Sequence, residues 1–105
     1  MSVYKANDQN LQMVIDRQGL VLVSFWAPWC SSCRNLGPVL EEVSNELADT
    51  VMVAKVHIED NPVSRGYFAI KNVPTMLLFR DGYLINTFRG YKPKASLIQL
   101  IHGVL

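Results

Sequence analysis

Phe25-Trp26-Ala27-Pro28-Trp29-Cys30-Ser31-Ser32-Cys33-Arg34 joins two segments of opposite character. Before it runs Leu20-Val21-Leu22-Val23-Ser24-Phe25-Trp26, short, β-branched and apolar on both faces, as a central strand of a covered sheet should be. After it, Leu36, Val39, Leu40, Val43 and Leu47 recur at helical spacing, with Glu41, Glu42 and Glu46 on the opposite face. The helix is predicted from about Ser31 to Ala48, bent where Pro38 removes a backbone bond. The chain's two cysteines sit at this junction. With Cys30 at the helix cap and Cys33 in its first turn, their Cα atoms would lie roughly 5–6 Å apart, within disulfide range. The pair could open and close with little backbone movement.

Outward from the junction, the chain reads as alternating strands and helices. Val3 to Lys5 suits a short edge strand. Asn7 or Asp8 then caps a helix with Leu11, Val14 and Ile15 inward, and Gly19 stops it. Val51 to Ile58 is a second central strand, parallel to the first because a helix connects them. Asn61-Pro62 opens a weak helix through Ile70. Thr75–Arg80 and Tyr83–Arg89 form a hairpin around Asp81-Gly82, and Pro93 starts the last helix. The order β-α-β-α-β-α-β-β-α implies an α/β fold, a mixed five-stranded sheet with helices on both faces. Ligands of such sheets meet the carboxyl ends of the parallel strands, where Cys30 lies.

Composition narrows the function. A chain of 105 residues, half of them apolar, is a single globular domain, 1–105. Its net charge of +1 offers no field for nucleic acid or an acidic membrane. No apolar run approaches a membrane span. Met1 to Asp8 lacks the basic and apolar regions of a signal peptide, so the cytoplasm is the expected location. Two cysteines are too few for a disulfide scaffold. Their spacing alone leaves open a redox pair, an inert disulfide, or half of a zinc site with His57 and His102. Neither histidine has finger-like spacing, and no metal is expected.

Trp26-Ala27-Pro28-Trp29-Cys30-x-x-Cys33-Arg34, with Pro38, Lys55, Asn61-Pro62, Val73-Pro74-Thr75, Gly82 and Gly90, resembles the thioredoxin family over essentially the whole chain. The resemblance implies the thioredoxin fold with sheet order 1-3-2-4-5 and a monomer. It also implies reduction of substrate protein disulfides with no bound cofactor, the Cys30–Cys33 disulfide being reduced through NADPH and a thioredoxin reductase. Cys30 should be exposed and attack; Cys33, a turn deeper, should resolve the mixed disulfide. A helix N-terminus favours the Cys30 anion, and such lowering is already familiar in thioredoxins, so its direction follows from the resemblance too. Both histidines then fall away from the cysteines. The resemblance also implies a cis Val73-Pro74 bond and substrate docking by main-chain pairing at Val73. The docking patch would comprise Trp29, Ile58, Ile70, Val73, Pro74 and Gly90, with Ser31 and Ser32 beside the sulfur. Lys55 and Arg89 stand near its rim as candidate readers of substrate charge.

The sequence departs from the family pattern at three places. Ser31-Ser32 replaces the usual Gly-Pro, adding one N–H and two hydroxyls near the Cys30 sulfur. More donors stabilise the thiolate and make the disulfide a stronger oxidant, so the potential should be less negative than in a Gly-Pro thioredoxin. Ser24 stands where the family usually buries an aspartate that assists proton transfer at Cys33. Release of the mixed disulfide should be slower, or should use water or Lys55 as relay, with the Lys55 ammonium turned to solvent. Arg34 replaces a lysine, and Tyr91 a small residue. Two alternatives to the reductase follow: a thiol–disulfide oxidase or isomerase, favoured by Ser31-Ser32, and a binding module with impaired turnover, favoured by Ser24.

Overall fold

The computed structural model describes residues 3–105; Met1 and Ser2, at the head of the segment read for a leader, lie outside them. Nine elements follow in order: β1 (Tyr4–Lys5), α1 (Leu11–Ile15), β2 (Leu20–Trp26), α2 (Ser31–Glu46), β3 (Val51–His57), α3 (Pro62–Tyr67), β4 (Thr75–Arg80), β5 (Tyr83–Arg89) and α4 (Lys94–His102). The strands form one sheet in the order β1-β3-β2-β4-β5. β3 runs parallel to both β1 and β2, whereas β4 is antiparallel to β2 and β5. This is the thioredoxin fold expected from the sequence.

β2 is continuous and apolar because both its faces are covered. Val21, Val23 and Phe25 enter a core with Leu11, Val14 and Ile15 of α1, Ala54, Val56, Leu77 and Phe79. Leu20 and Leu22 enter the other, with Leu36, Leu40 and Val43 of α2 and Leu97 and Ile101 of α4. Alternate residues of an extended strand point to opposite faces, so one seven-residue segment supplies both layers. Ser24 has the parity of Leu20 and Leu22 and therefore faces the α2 side.

The hairpin is joined as predicted. Asp81 and Gly82 both take positive φ, 49° and 87°, the backbone of the tight turn that matches strand twist. Asp81 also ties the hairpin to the α1–β2 connection: its Oδ1 accepts the Gly19 N–H at 2.7 Å and its own N–H donates to Gly19 O at 3.0 Å.

Several boundaries differ from the sequence reading. α2 ends at Glu46 rather than Ala48, its Leu47 cap already leaving helical geometry. β3 stops at His57, one residue before Ile58, and β1 omits Val3. α3 ends at Tyr67 rather than Ile70, because Ala69 turns to φ 53°. The start of α1 differs most. Asn7 Oδ1 accepts the N–H groups of Gln9 and Asn10, closing a turn ahead of the helix. Asp8 caps a different helix, its carboxylate accepting the N–H groups of Val63 (3.2 Å) and Ser64 (2.8 Å) at the start of α3. Asn61 completes this clamp, accepting from Asp8 N and donating to His57 O, both at 2.9 Å. The N-terminal segment thereby holds α3, whose C-terminal connection leads to Pro74.

Candidate active site

The functional geometry begins where β2 gives way to α2. Cys30 is the N-cap of α2, with extended backbone (φ −93°, ψ 112°), and its sulfur accepts the Cys33 N–H at 3.2 Å. Sulfur thus takes the place usually held by a Ser or Asp oxygen, pairing with a donor that the helix leaves unsatisfied. Both cysteines are free thiols. Ser32 Oγ lies 3.4 Å from the same sulfur, and Val73 O lies 3.5 Å from it on the far side. Ser31 points to solvent and has no bond to the sulfur. Of the two hydroxyls counted in the sequence, one reaches its target.

The thiols titrate in opposite directions. Burial raises the Cys30 pKa, but hydrogen bonds from the Cys33 thiol, the Ser32 hydroxyl and the main-chain N–H groups of both residues outweigh it, and the net shift is downward. Burial pushes Cys33 up to about 12, and the hydrogen bond it gives Cys30 holds its proton further. One sulfur is prepared as an anion while its neighbour keeps the proton.

Cys30 does not stand open as expected. It is 8% exposed and Cys33 5%, so the difference in accessibility is small. Closure comes from packing: Cys30 is flanked by the first turn of α2 and by the connection carrying Val73. Trp29, by contrast, is 62% exposed. Its indole N–H donates to Glu59 Oε2 at 2.7 Å, fixing the ring beside the cysteine. Glu59 escaped the sequence reading, because position just past a strand end does not reveal where a side chain points.

Around the sulfur, the Val73-Pro74 peptide bond is cis, as the resemblance implied. Gly90 N–H donates to Pro74 O at 2.9 Å, drawing the end of β5 beside the proline. Gly90 adopts φ 84°, and a Cβ there would meet nothing within 4 Å; backbone conformation, rather than crowding, calls for glycine. Two members of the expected patch are buried, in the same core cluster as Cys30 and Cys33. Ile58 (2% exposed) and Ile70 (6%) pack into the core and present little surface. Trp29, Val73 and Gly90 supply the accessible part, over a buried Pro74.

On β2, Ser24 is 1% exposed and its Oγ has no hydrogen-bond partner. Ser24 pairs in register with Lys55 on β3. The Lys55 ammonium does not simply enter solvent, as expected; it sits 5.5 Å from the Trp26 ring centroid, a cation–π contact. Trp26 packs edge-on against His57, whose Nδ1 accepts the Asp60 N–H. His102 lies in the last turn of α4. Among the described residues, no group of three or more His, Cys, Asp or Glu could hold a metal ion.

A family model, Thioredoxin, matches residues 2–103. The chain belongs to the thioredoxin family. It is 36% identical over 102 residues to the thioredoxin of Bacillus subtilis (strain 168), covering 97% of each chain. Identity to the thioredoxin of Alicyclobacillus acidocaldarius is 42% over 98 residues, 93% of each. With that of Listeria monocytogenes it is 40% over 85 residues, 81% of this chain and 82% of the relative. Thioredoxins are protein-disulfide reductases that need no bound cofactor, and the pair at positions 30 and 33 is that of a dithiol–disulfide oxidoreductase. No described helix is long and apolar enough to cross a membrane.

Proposed function

We propose that this chain is a single-domain, monomeric cytoplasmic thioredoxin, residues 1–105, that reduces protein disulfides and is regenerated by a thioredoxin reductase drawing on NADPH. The observation that carries the reading is the asymmetry of the pair: the Cys30 sulfur accepts a helix N-terminal N–H at 3.2 Å, while Cys33 is held as a thiol. The Cys30 thiolate attacks one sulfur of a substrate disulfide, forming a mixed disulfide and expelling the other sulfur as thiolate. Cys33 then loses its proton and attacks the Cys30 sulfur. The Cys30–Cys33 disulfide forms, and the second substrate thiolate leaves. Two electrons pass from protein to substrate.

Docking uses Trp29, Val73, Pro74 and Gly90, with main-chain groups at Val73 pairing with an extended substrate segment. Ser32 tunes the attacking sulfur. Ser24 offers Cys33 no carboxylate to take its proton, which passes to water; Lys55, as an ammonium, has no lone pair to accept it. The test is insulin reduction coupled to NADPH oxidation by a bacterial-type thioredoxin reductase. Reduction that requires both cysteines is expected; no NADPH consumption would refute the reading. The Ser32 hydroxyl at the sulfur supports a second reading, an oxidase or isomerase, because it stabilises the reduced form. Refolding of scrambled ribonuclease faster than insulin reduction would favour it.

A further inference from the structure

Beside the docking line lies a cleft of about 440 Å³ between the β4–β5 ladder and the α3–β4 connection. It adjoins the reactive centre through sequence neighbours: Asn72 precedes Val73, Thr75 follows Pro74, and Arg89 precedes Gly90. Thr75 and Arg89 are register partners, so the cleft starts at the strand end nearest Val73. Phe68, Leu77 and Leu84 give it apolar lining, and Lys71 and Arg89 are its two charged residues. Both cations are exposed, and among the described residues neither forms an ion pair or hydrogen bond. No carboxylate lines the cleft.

We propose that this cleft is a specificity subsite that receives an acidic side chain flanking the substrate's disulfide, its methylenes against Phe68 and Leu84 and its carboxylate between Lys71 and Arg89. The inference rests on the disulfide-reductase reading and names a substrate class for it: extended segments with Asp or Glu beside the half-cystine. Unpaired cations around a partly apolar hollow supply charge complementarity without first breaking an existing ion pair. Because both are exposed, each contributes modestly, and the preference should fade with salt.

The test uses short peptides with one cysteine as its mixed disulfide with thionitrobenzoate, flanked by Glu or by Lys. The Cys30 thiolate bonds to the peptide sulfur and the peptide–thionitrobenzoate bond breaks, releasing the coloured thiolate. Cys33 loses its proton to solvent and closes the Cys30–Cys33 disulfide, and the peptide thiolate leaves and is protonated. The readout is the ratio of second-order rate constants for release of the coloured thiolate from the Glu over the Lys peptide by pre-reduced protein in a single turnover, which cancels any general loss of activity in a variant. A ratio of about three- to thirtyfold is expected at low ionic strength. It should drop below one in the Lys71→Glu/Arg89→Glu variant and take an intermediate value in Arg89→Gln. A ratio near one in the unaltered protein, or one that survives charge reversal, would overturn the subsite. If neither peptide is reduced, the reductase reading itself fails, and this inference with it.

Discussion

Replacing Ser32 by alanine removes one identifiable donor from the Cys30 sulfur and leaves the helix N-terminus intact. Ser32 Oγ is 3.4 Å from that sulfur, beside the Cys33 N–H at 3.2 Å. A hydrogen bond to a charged group contributes about 1.5–3 kcal/mol; sulfur is a weak acceptor and the separation long, so about 0.7–1.4 kcal/mol is the appropriate scale. Its loss should lower the thiolate-to-thiol ratio by about three- to tenfold. A disulfide sulfur accepts poorly, so the oxidised form loses almost nothing. The reduced form is therefore destabilised relative to it, and the potential should become more negative by about 15–30 mV. Thiolate absorbance in the ultraviolet across a pH series gives the first quantity, and equilibration with a glutathione couple gives the second. Ser32→Thr should restore both, and Ser31→Ala should change neither. An unshifted Ser32→Ala, or a Ser31→Ala that shifts equally, would refute the reasoning.

Ser24 and Asp8 give the remaining expectations. The Ser24 hydroxyl is buried and unpartnered, so Ser24→Ala should alter stability by no more than about 1 kcal/mol, whereas Ser24→Asp should cost about 1–3 kcal/mol in a denaturant titration. The same Ser24→Asp should speed release of substrate from a trapped mixed disulfide, and unchanged release would place the proton's route elsewhere. At Asp8, slight burial works against ionisation, but hydrogen bonds from Ser64 and Val63 prevail and hold the carboxyl below its ordinary 3.8. A depressed carboxylate stabilises the fold above its unfolded pKa, and that contribution is lost as pH falls through the folded value. Asp8→Asn should accordingly lower Tm at neutral pH, and the gap should close in acid; a gap independent of pH would exclude the charge as its source.

The fold was legible because its strongest signals were local and redundant. Leu20–Trp26 could hardly be anything but a covered strand, and Asp81-Gly82 between two apolar runs specified the hairpin. The cysteine pair was legible because spacing and cap position are properties of the chain itself. Illegible were contacts made across the fold. Asp8 looked like the start of α1 because a capping residue resembles any other until its partner is known, and the partner lies at Ser64. Ile58 and Ile70 carried no sign of which face they would join. Ser31 and Ser32 were equivalent as letters; the first turn of α2 brings one hydroxyl to the sulfur and sends the other to solvent.

Everything in the proposed reaction depends on one thiol being prepared as an anion while its neighbour keeps its proton. Cys30, with its pKa lowered, should become reactive as pH rises through a value below the ordinary 9.0, and Cys33, pushed up to about 12, should stay inert until strongly alkaline conditions. Timed alkylation of the reduced protein with iodoacetamide, read residue by residue by mass spectrometry from mildly acidic to alkaline pH, measures both at once. Rapid labelling of Cys30 alone at neutral pH is expected, with its midpoint below that of a free thiol. Equal labelling of the two cysteines, or a Cys30 midpoint at or above the free-thiol value, would contradict it.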